Sequence, residues 1–370
     1  TVGEGLLIFV LGIFFIGFVF NAVRPKTALF GGIAIAVFGT LLMSFVAWHF
    51  TYWINPMSSF MSWAGFGLVV LGWRFQREWK ERERLARSVE NSMSSHMVDM
   101  IRTGELQVSR FGERREITIL FSDLSGFTSI SEKLDAHDLV DLVNMYSDEV
   151  VELIFQHQGF LDKFIGDAVM ALWGAPVNGQ NDHAKKGLET AIGMAETVKR
   201  FNVKAHAKYG TGDLFRARVG LHTGTAIVGN IGSHARYNYT AIGDSVNLAS
   251  RLEGIGKAYN CWLLISEEAL SAAGAMGQKG YALVDVMAVK GRSTPTRIHT
   301  YAPEASEEEF AAYREGFSEY EAGRFADAIP KFQRAPNIPP AEALVSRCQN
   351  LLAGIGTKHF KNGVWHHDEK

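Results

Sequence analysis

The chain has 370 residues, enough for two or three domains, and a formal net charge of −2. Proteins that bind nucleic acid usually carry an excess of positive charge, which this chain lacks, so no nucleic-acid partner is predicted. The two cysteines, Cys261 and Cys348, are far apart in sequence and indicate neither a disulfide framework nor a zinc site.

Three apolar stretches come first, at about residues 5–22, 28–48 and 57–73. A membrane-spanning helix needs about 20 apolar residues, or about 17 at the short end. A signal peptide would explain the first stretch but not the two that follow it. The sequence therefore predicts an all-α membrane region in residues 1–73, with three spans in contact with membrane lipid.

Basic residues beside these stretches predict the orientation of the spans. The first loop carries Arg24 and Lys26, the second carries no Lys or Arg, and six basic residues follow between positions 74 and 87. Because Lys and Arg are enriched on the cytoplasmic side, we expect a multi-pass protein of the plasma (inner) membrane with its C-terminal bulk in the cytoplasm. The chain begins at Thr1 and not at Met, and an outward amino terminus would suit a missing extracellular sensor domain.

Residues 74–110 are predicted to form a helical connector. Glu78–Arg82 and Glu83–Arg87 are pairs in the favourable order for a helix. Either a solvated juxtamembrane helix or a coiled coil that passes a signal between protomers fits this pattern. Apolar residues recur from position 97 onward, and they predict packing on the domain that follows: Met97, Met100, Ile101 and Leu106.

A buried strand is predicted at residues 117–121, ending at Asp123 before a turn of small residues and a helix. A carboxylate at such a strand end can hold Mg²⁺, which takes oxygen ligands from one or two carboxylates and from substrate phosphates. Asp123 as the cap of the next helix is an equal alternative at this point.

A helix at residues 136–157 and a β-hairpin follow, and the hairpin presents a second carboxylate. Its strands, residues 160–165 and 168–173, flank Gly166-Asp167, a typical two-residue turn. If the hairpin lies beside the first strand, Asp123 and Asp167 converge as the carboxylates of a two-metal site do. Asp167 as a plain turn residue is the alternative.

A second long helix is expected at residues 182–208, with Asp182 as its N-cap. Two strands, residues 215–224 and 225–229, are then expected to meet near Gly224, followed by a mobile arm at 230–238. Arg218 interrupts an apolar strand, and a buried guanidinium needs an anion. Phosphate and a structural carboxylate are equally good partners.

Asn247 and Arg251 are one turn apart on a predicted helix that follows Asp244. An amide and a guanidinium on one face suit an anionic, sugar-bearing ligand. The same pair also occurs on ordinary helix surfaces, and the pattern by itself leaves both interpretations open.

Four segments, in this order and spacing, resemble the catalytic domain of the class III adenylyl and guanylyl cyclases: FSDLSGFT, DKFIGDAVMALWG, RARVGLHTG and YTAIGDSVNLASRLE. The resemblance implies an α+β, ferredoxin-like (palm-type) domain at residues 111–303. The whole layout also resembles membrane-bound bacterial adenylate cyclases that have an upstream CHASE-type sensor.

The resemblance implies metal and catalytic roles for five residues. Asp123, Asp167 and the Leu124 carbonyl would hold two Mg²⁺ or Mn²⁺ ions in each active site. Asn247 would orient the ribose, and Arg251 would stabilise the pentavalent phosphorus.

It implies substrate contacts for four more residues. Lys163 and Thr240 match the positions that select the purine, where this pair favours ATP over GTP. Arg218 and Lys290 match contacts to the triphosphate.

The implied activity is conversion of ATP to 3′,5′-cyclic AMP and pyrophosphate. In this family the metal carboxylates come from one subunit and the purine, Asn and Arg residues from the other, so a homodimer with shared active sites is expected. Two alternatives are a guanylate cyclase and a catalytically silent receptor domain that binds nucleotide.

The tail, residues 304–370, has an aromatic and glycine pattern that resembles a single tetratricopeptide helix pair. Pro336, Pro339 and Pro340 end it, and a third helix is expected at 341–353. Because one repeat cannot bury its own apolar face, the tail is expected to pack on the preceding domain or on its dimer mate. Peptide binding is the alternative.

Overall fold

The protein is represented by a computed structural model. It describes residues 45, 48–49, 72–84, 95–104, 112–132, 134–176, 179–210, 215–233, 236–288, 295–361 and 363–366. The chain divides into two units, Thr1–Arg84 and Leu85–Lys370.

In the first unit, residues 72–84 are helical, and Arg82 forms the expected ion pair with Glu78 at 2.9 Å. Arg87, of the other expected pair, lies outside the described residues. The three predicted spans also lie almost wholly outside them and remain a prediction. Among the helices that the structure does describe, none combines the length and apolar character needed to cross a membrane.

The second unit is built on a mixed ten-stranded sheet. Its strands run in the spatial order β2-β3-β1-β4-β6-β8-β7-β10-β9, with β5 paired to β4. The β4–β6 and β7–β10 pairs are parallel, and the others are antiparallel. The strands are β1 Glu113–Ser125, β2 Phe160–Ile165, β3 Ala168–Trp173, β4 Arg216–Ser233, β5 Arg236–Ile242, β6 Leu263–Ser266, β7 Tyr281–Ala288, β8 Thr296–Tyr301, β9 Phe360–Lys361 and β10 Val364–His366.

Among the described residues of the second unit, nine α-helices accompany the sheet, and the predicted α+β class is confirmed. They are α1 Ser95–Thr103, α2 Phe127–Ser131, α3 Ala136–Gln156, α4 His183–Tyr209, α5 Asp244–Ile255, α6 Glu267–Ala272, α7 Glu307–Glu321, α8 Phe325–Gln333 and α9 Pro340–Leu352. The described residues also include two 3₁₀ helices, Gly256–Tyr259 and Thr357–His359.

The two faces of the sheet bury different helices. Tyr146 of α3 and Phe201 of α4 pack with Leu120 and Trp173 on one face. On the other, α1 contributes Ile101 to a separate buried cluster of sheet residues. The expected docking of this part of the connector on the following domain is therefore confirmed for Ile101. The structure does not describe the side chains of Met97, Met100 and Leu106.

The central strand β1 is longer than predicted, because it pairs with β4 along its whole length. It continues to Ser125, so Asp123 lies inside the strand and not at its end. The N-cap of α2 is Gly126, at φ 95°. The interpretation of Asp123 as a helix cap is therefore wrong.

The prediction of two strands meeting near Gly224 is also wrong. β4 is one continuous 18-residue strand in which Gly224 lies opposite Ile117. Gly224 serves close packing instead, since a Cβ atom there would lie 2.7 Å from Ser245 Oγ on α5. The arm expected at 230–238 is largely a β-ribbon of β4 and β5, because the two strands pair as far as Ser233 and Arg236.

The two long helices begin close to the predicted positions. Asp135 caps α3 by accepting hydrogen bonds from the backbone N–H groups of His137 and Asp138, each at 2.9 Å. Asp182 precedes α4, but its described side chain makes no capping hydrogen bond. It pairs with Lys186 at 2.8 Å, so a side-chain ion pair replaces the expected cap.

The tail packs on the preceding domain. Tyr313 and Phe317 of α7 and Phe332 of α8 share one buried cluster with Leu252 of α5 and Val284 of β7. The expected third helix is present as α9. The tail strands β9 and β10 were not predicted, and they extend the sheet beside β7. The tail is thus part of the fold of the second unit.

Candidate active site

The two predicted metal-ligand carboxylates lie together. Ile165 pairs with Ala168 around the Gly166-Asp167 turn, and β3 of this hairpin pairs with β1. Burial, and then the adjacent Asp123 carboxyl, raise the pKa of Asp167 to about 6. A raised pKa of this kind is expected where two carboxylates lie close together in a partly buried site. The predicted convergence of Asp123 and Asp167 is therefore present within one chain.

Arg218 lies opposite Asp123 in the β1–β4 register and donates a hydrogen bond to it. Its Nε atom also lies 3.1 Å from Glu253 Oε1 on α5. Gly220 permits this approach of α5, since a Cβ there would lie 2.4 Å from the Glu253 backbone nitrogen. In this chain, the anion that Arg218 needs is therefore a pair of carboxylates.

A cleft of about 850 Å³ opens at these carboxylates. Its lining includes Asp123, Leu124, Asp167 and Arg218, together with two basic residues that sequence reasoning missed, Arg216 and Lys257. A cleft that combines paired carboxylates with cations suits a polyphosphate with its counter-ions. Lys290, the other predicted triphosphate contact, lies outside the described residues.

The donor set fits Mg²⁺ or Mn²⁺. Among the described residues, no group of three His, Cys, Asp or Glu side chains could hold a metal ion alone. Two carboxylates are nevertheless sufficient where substrate phosphates supply the remaining oxygens. A divalent cation would also offset the burial and the repulsion by Asp123 that together raise the pKa of Asp167. The Leu124 side chain is buried in the core, so its backbone is the part available to a ligand.

The two predicted purine-reading residues contact each other, although they are 77 positions apart. Lys163 Nζ on β2 donates to Thr240 Oγ1 on β5 at 3.2 Å. Thr240 in turn donates to Asp162 at 2.5 Å. Sequence reasoning missed Asp162, although an acidic residue beside Lys163 in a largely apolar strand was a usable signal.

Asn247 and Arg251 lie one turn apart on α5, as predicted, and the Asn247 side chain is exposed. Lys163, Thr240, Asn247 and Arg251 are all described residues, and none of them lines the cleft at Asp123. One chain therefore presents two separate sets of candidate substrate contacts.

Residues 110–303 match the family described as the adenylate and guanylate cyclase catalytic domain. This match covers just over half of the chain. The chain belongs to this family. The predicted membership in the class III cyclases is confirmed, and the paired carboxylates and the Lys163–Thr240 contact both lie inside the cyclase domain.

Two curated relatives are both 36% identical to this chain. One is adenylate cyclase 1 of Rhizobium meliloti, matched over 205 residues, which are 54% of this chain and 30% of that protein. The other is an adenylate cyclase of Anabaena cylindrica, matched over 188 residues, which are 50% of this chain and 36% of that protein. The chain thus spans about a third of the length of these relatives.

Solved structures of both cyclase types are similar to the chain. The adenylyl cyclase CyaB from P. aeruginosa aligns at 35% identity and a TM-score of 0.46, over 52% of this chain and 95% of that one. The guanylyl cyclase Cya2 aligns at 34% identity and a TM-score of 0.45, over 52% and 93%.

Glu253 is a further residue of the cyclase domain that sequence reasoning missed. Burial raises the pKa of its carboxyl, and Arg218 opposes that shift. Its position two residues after Arg251 gave no signal, because helical spacing places it on another face of α5.

Proposed function

We propose that this chain is an adenylate cyclase that converts ATP to 3′,5′-cyclic AMP and pyrophosphate. The observation that carries the proposal is the convergence of Asp123 and Asp167 at a cleft with basic walls, inside a cyclase domain. The contact between Lys163 and Thr240 supports ATP as the substrate. Membrane attachment rests on the apolar stretches of residues 1–73 and stays a prediction.

Each candidate residue has a role in this reaction. Asp123 and Asp167 would hold the divalent ions, which when bound acidify the ribose 3′-hydroxyl and neutralise phosphate charge. Arg216 and Lys257, two exposed cations that line the cleft, would bind the β- and γ-phosphates. Arg251 would donate to the α-phosphate oxygens where charge increases in the transition state.

Asn247 would orient the ribose so that its 3′-hydroxyl oxygen attacks the α-phosphorus in line. A new phosphorus–oxygen bond forms, the bond to pyrophosphate breaks, and the proton of the 3′-hydroxyl passes to water. Holding the reacting atoms in this arrangement removes much of the entropic barrier. Arg218 is held by Asp123 and Glu253, and in this position it fixes the orientation of the Asp123 carboxylate.

A homodimer with two equivalent composite sites is supported by the separation of the carboxylates, Asp123 and Asp167, from the purine-reading pair. A bound ATP needs the carboxylates at its phosphates and Lys163 with Thr240 at its purine. Since these sets do not share a cleft within one chain, a second copy is proposed to supply the missing half of each site. A two-fold symmetric pair completes both sites at once.

The test of substrate choice compares ATP with GTP, each with Mg²⁺ and with Mn²⁺. The wild-type chain should have the higher kcat/KM for ATP. Lys163→Glu should lower the ATP-to-GTP ratio at least about tenfold, because a hydrogen bond from a charged group is worth roughly 1.5–3 kcal/mol and glutamate reverses its polarity. Faster GTP turnover by the wild-type chain would support the guanylate cyclase alternative.

Lys199→Glu is the matched control, since Lys199 is an exposed residue of α4 paired with Glu196. It should leave the ATP-to-GTP ratio unchanged. Nucleotide binding without either cyclic product would support the silent receptor alternative.

Shared sites predict complementation between two inactive variants. Asp167→Ala and Arg251→Ala should each be nearly inactive alone. An equal mixture that exchanges subunits should recover about a quarter of wild-type activity. Half of its dimers are then heterodimers, and each heterodimer has one intact site out of two. Cyclic AMP formation measured against the mixing ratio checks this expectation.

Mixing two preparations of Asp167→Ala that carry different tags is the control. It should form mixed dimers without recovering activity. Absence of recovery in the Asp167→Ala and Arg251→Ala mixture, with heterodimers shown by tag capture, would contradict shared sites.

A further inference from the structure

A buried carboxylate lies behind the two side chains proposed to read the purine. Asp162 is on β2 directly before Lys163, and 1% of its side chain is exposed. Its Oδ2 atom accepts the hydrogen bond from Thr240 Oγ1 at 2.5 Å, and its Oδ1 atom lies 3.2 Å from Lys163 Nζ. Asp162 therefore contacts both members of the pair while being shielded from solvent.

The neighbours of Asp162 favour its ionised form. Burial raises the pKa of Asp162, whereas the hydrogen bond from Thr240, the positive charge of Lys163 and the Ala241 backbone N–H oppose that shift. An ammonium group and a backbone N–H can only donate. A carboxylate surrounded in this way acts as an acceptor, and it takes the hydroxyl proton of Thr240.

A threonine hydroxyl has one proton to donate and two lone pairs with which to accept. Once its proton points to Asp162, Thr240 can offer a ligand only an acceptor. Adenine carries an amino donor at C6, and guanine carries a carbonyl acceptor at the same position. A hydroxyl held in this way therefore matches adenine and opposes guanine.

We infer that Asp162 is a specificity-determining residue that acts through Thr240: by taking the threonine proton, it leaves an acceptor facing C6 of the purine and so favours ATP over GTP. This inference rests on the proposed function, because it assumes that Lys163 and Thr240 face the purine. The choice between adenine and guanine then depends on Asp162, Lys163 and Thr240 together, which explains why a buried carboxylate contacts the other two.

The test is Asp162→Asn. The new amide should turn its oxygen toward the Lys163 ammonium and its NH₂ group toward Thr240. Thr240 must then accept from the amide, and its own proton becomes available to the purine. The ratio of kcat/KM for ATP to that for GTP should fall about tenfold or more, since a matched hydrogen bond is replaced by an opposed one.

Asp141→Asn is the matched control, because Asp141 is also a hydrogen-bonded carboxylate, held by Lys208 and Tyr209 on the surface. It should leave the ATP-to-GTP ratio unchanged. An Asp162→Asn enzyme that loses activity equally with both nucleotides, at an unchanged ratio, would show a structural role and overturn the inference.

Action through Thr240 predicts coupling between two substitutions. In a Thr240→Val background there is no hydroxyl to orient, so adding Asp162→Asn should change the ATP-to-GTP ratio less than about twofold. A change as large as in the wild-type background would show that Asp162 acts by another route.

A measurement on the wild-type chain covers the case in which Asp162→Asn does not fold. Purine riboside triphosphate keeps the N1 acceptor of adenine but lacks the C6 amino group. ATP should exceed it several-fold in kcat/KM, as expected for one hydrogen bond. Equal use of the two would overturn the inference while leaving adenylate cyclase activity intact, whereas a wild-type preference for GTP would overturn both proposals.

Discussion

Asp123→Ala and Asp167→Ala should each lower cyclic AMP formation by about a thousandfold or more. Divalent ions at such a site supply several kcal/mol of transition-state stabilisation, and each 1.36 kcal/mol is a factor of ten in rate. Asp123 and Asp167 lie at the same site, where burial and then the Asp123 carboxyl raise the pKa of Asp167, so each is expected to supply a separate metal ligand. Steady-state assays with ATP and saturating Mn²⁺ measure the loss.

Asp327→Ala is the control, since Asp327 is an exposed residue of α8. It should keep wild-type activity. Mn²⁺ with an ATP analogue that lacks the 3′-hydroxyl, and so cannot cyclise, should raise the melting temperature of the control variant but not that of Asp123→Ala. Cyclic AMP formation that survives both carboxylate substitutions would refute the proposed metal ligands.

Arg347→Ala should destabilise the chain by about 3–5 kcal/mol, because it leaves a buried carboxylate without its cation. Arg347 on α9 donates to Asp285 on β7 at 2.5 Å, and the Asp285 side chain is fully buried. The guanidinium also lies over the rings of Tyr259, at 4.6 Å, and Trp365, at 4.1 Å. Urea unfolding followed by far-ultraviolet circular dichroism measures the change.

The loss of folding stability caused by Arg347→Ala should also depend on pH. Burial raises the pKa of Asp285, and Arg347 opposes that shift. Without Arg347, the folded chain binds a proton at Asp285 at a higher pH than the unfolded chain does. Stability then increases as the pH falls toward the ordinary range of a carboxyl, so the loss of stability relative to wild type should become smaller at acidic pH than at neutral pH.

Two further variants test whether the buried pair causes the effect. Arg324→Ala removes an exposed ion pair with Glu319 and should cost less than about 1 kcal/mol. Replacing both buried partners, with Asp285→Leu and Arg347→Met, should recover most of the stability lost in the single variant. A double variant as unstable as Arg347→Ala, or an equal loss in Arg324→Ala, would contradict the explanation.

The ion pair between Arg347 and Asp285 also explains why the tail is part of the second unit. Its aromatic pattern predicted helices that need a surface to cover, and left open whether that surface belongs to the same chain. The cluster around Arg347 fixes α9 to β7 and to the 3₁₀ helix that contains Tyr259. Lys257 of that same 3₁₀ helix lines the cleft, so the tail supports one wall of the candidate active site.

Local sequence patterns were sufficient for the hairpin that carries Asp167 and for the helix that carries Asn247 and Arg251. Turn chemistry and helical spacing act within a few residues, so the sequence shows them directly. The extent of a strand is different, because it depends on its neighbours. β4 continues through Gly224 since β1 and α5 lie on either side of it, and a local reading of that glycine as a break was wrong.

By itself, the sequence determined the family, the α+β class and the approach of Asp123 to Asp167. Only the tertiary structure decided the partners of the buried charges. Arg218 pairs with Asp123 across 95 positions, Thr240 with Asp162 across 78, and Arg347 with Asp285 across 62. The physical reason is that a buried charge must find its counterpart among whichever elements pack against it, and that packing belongs to the whole fold.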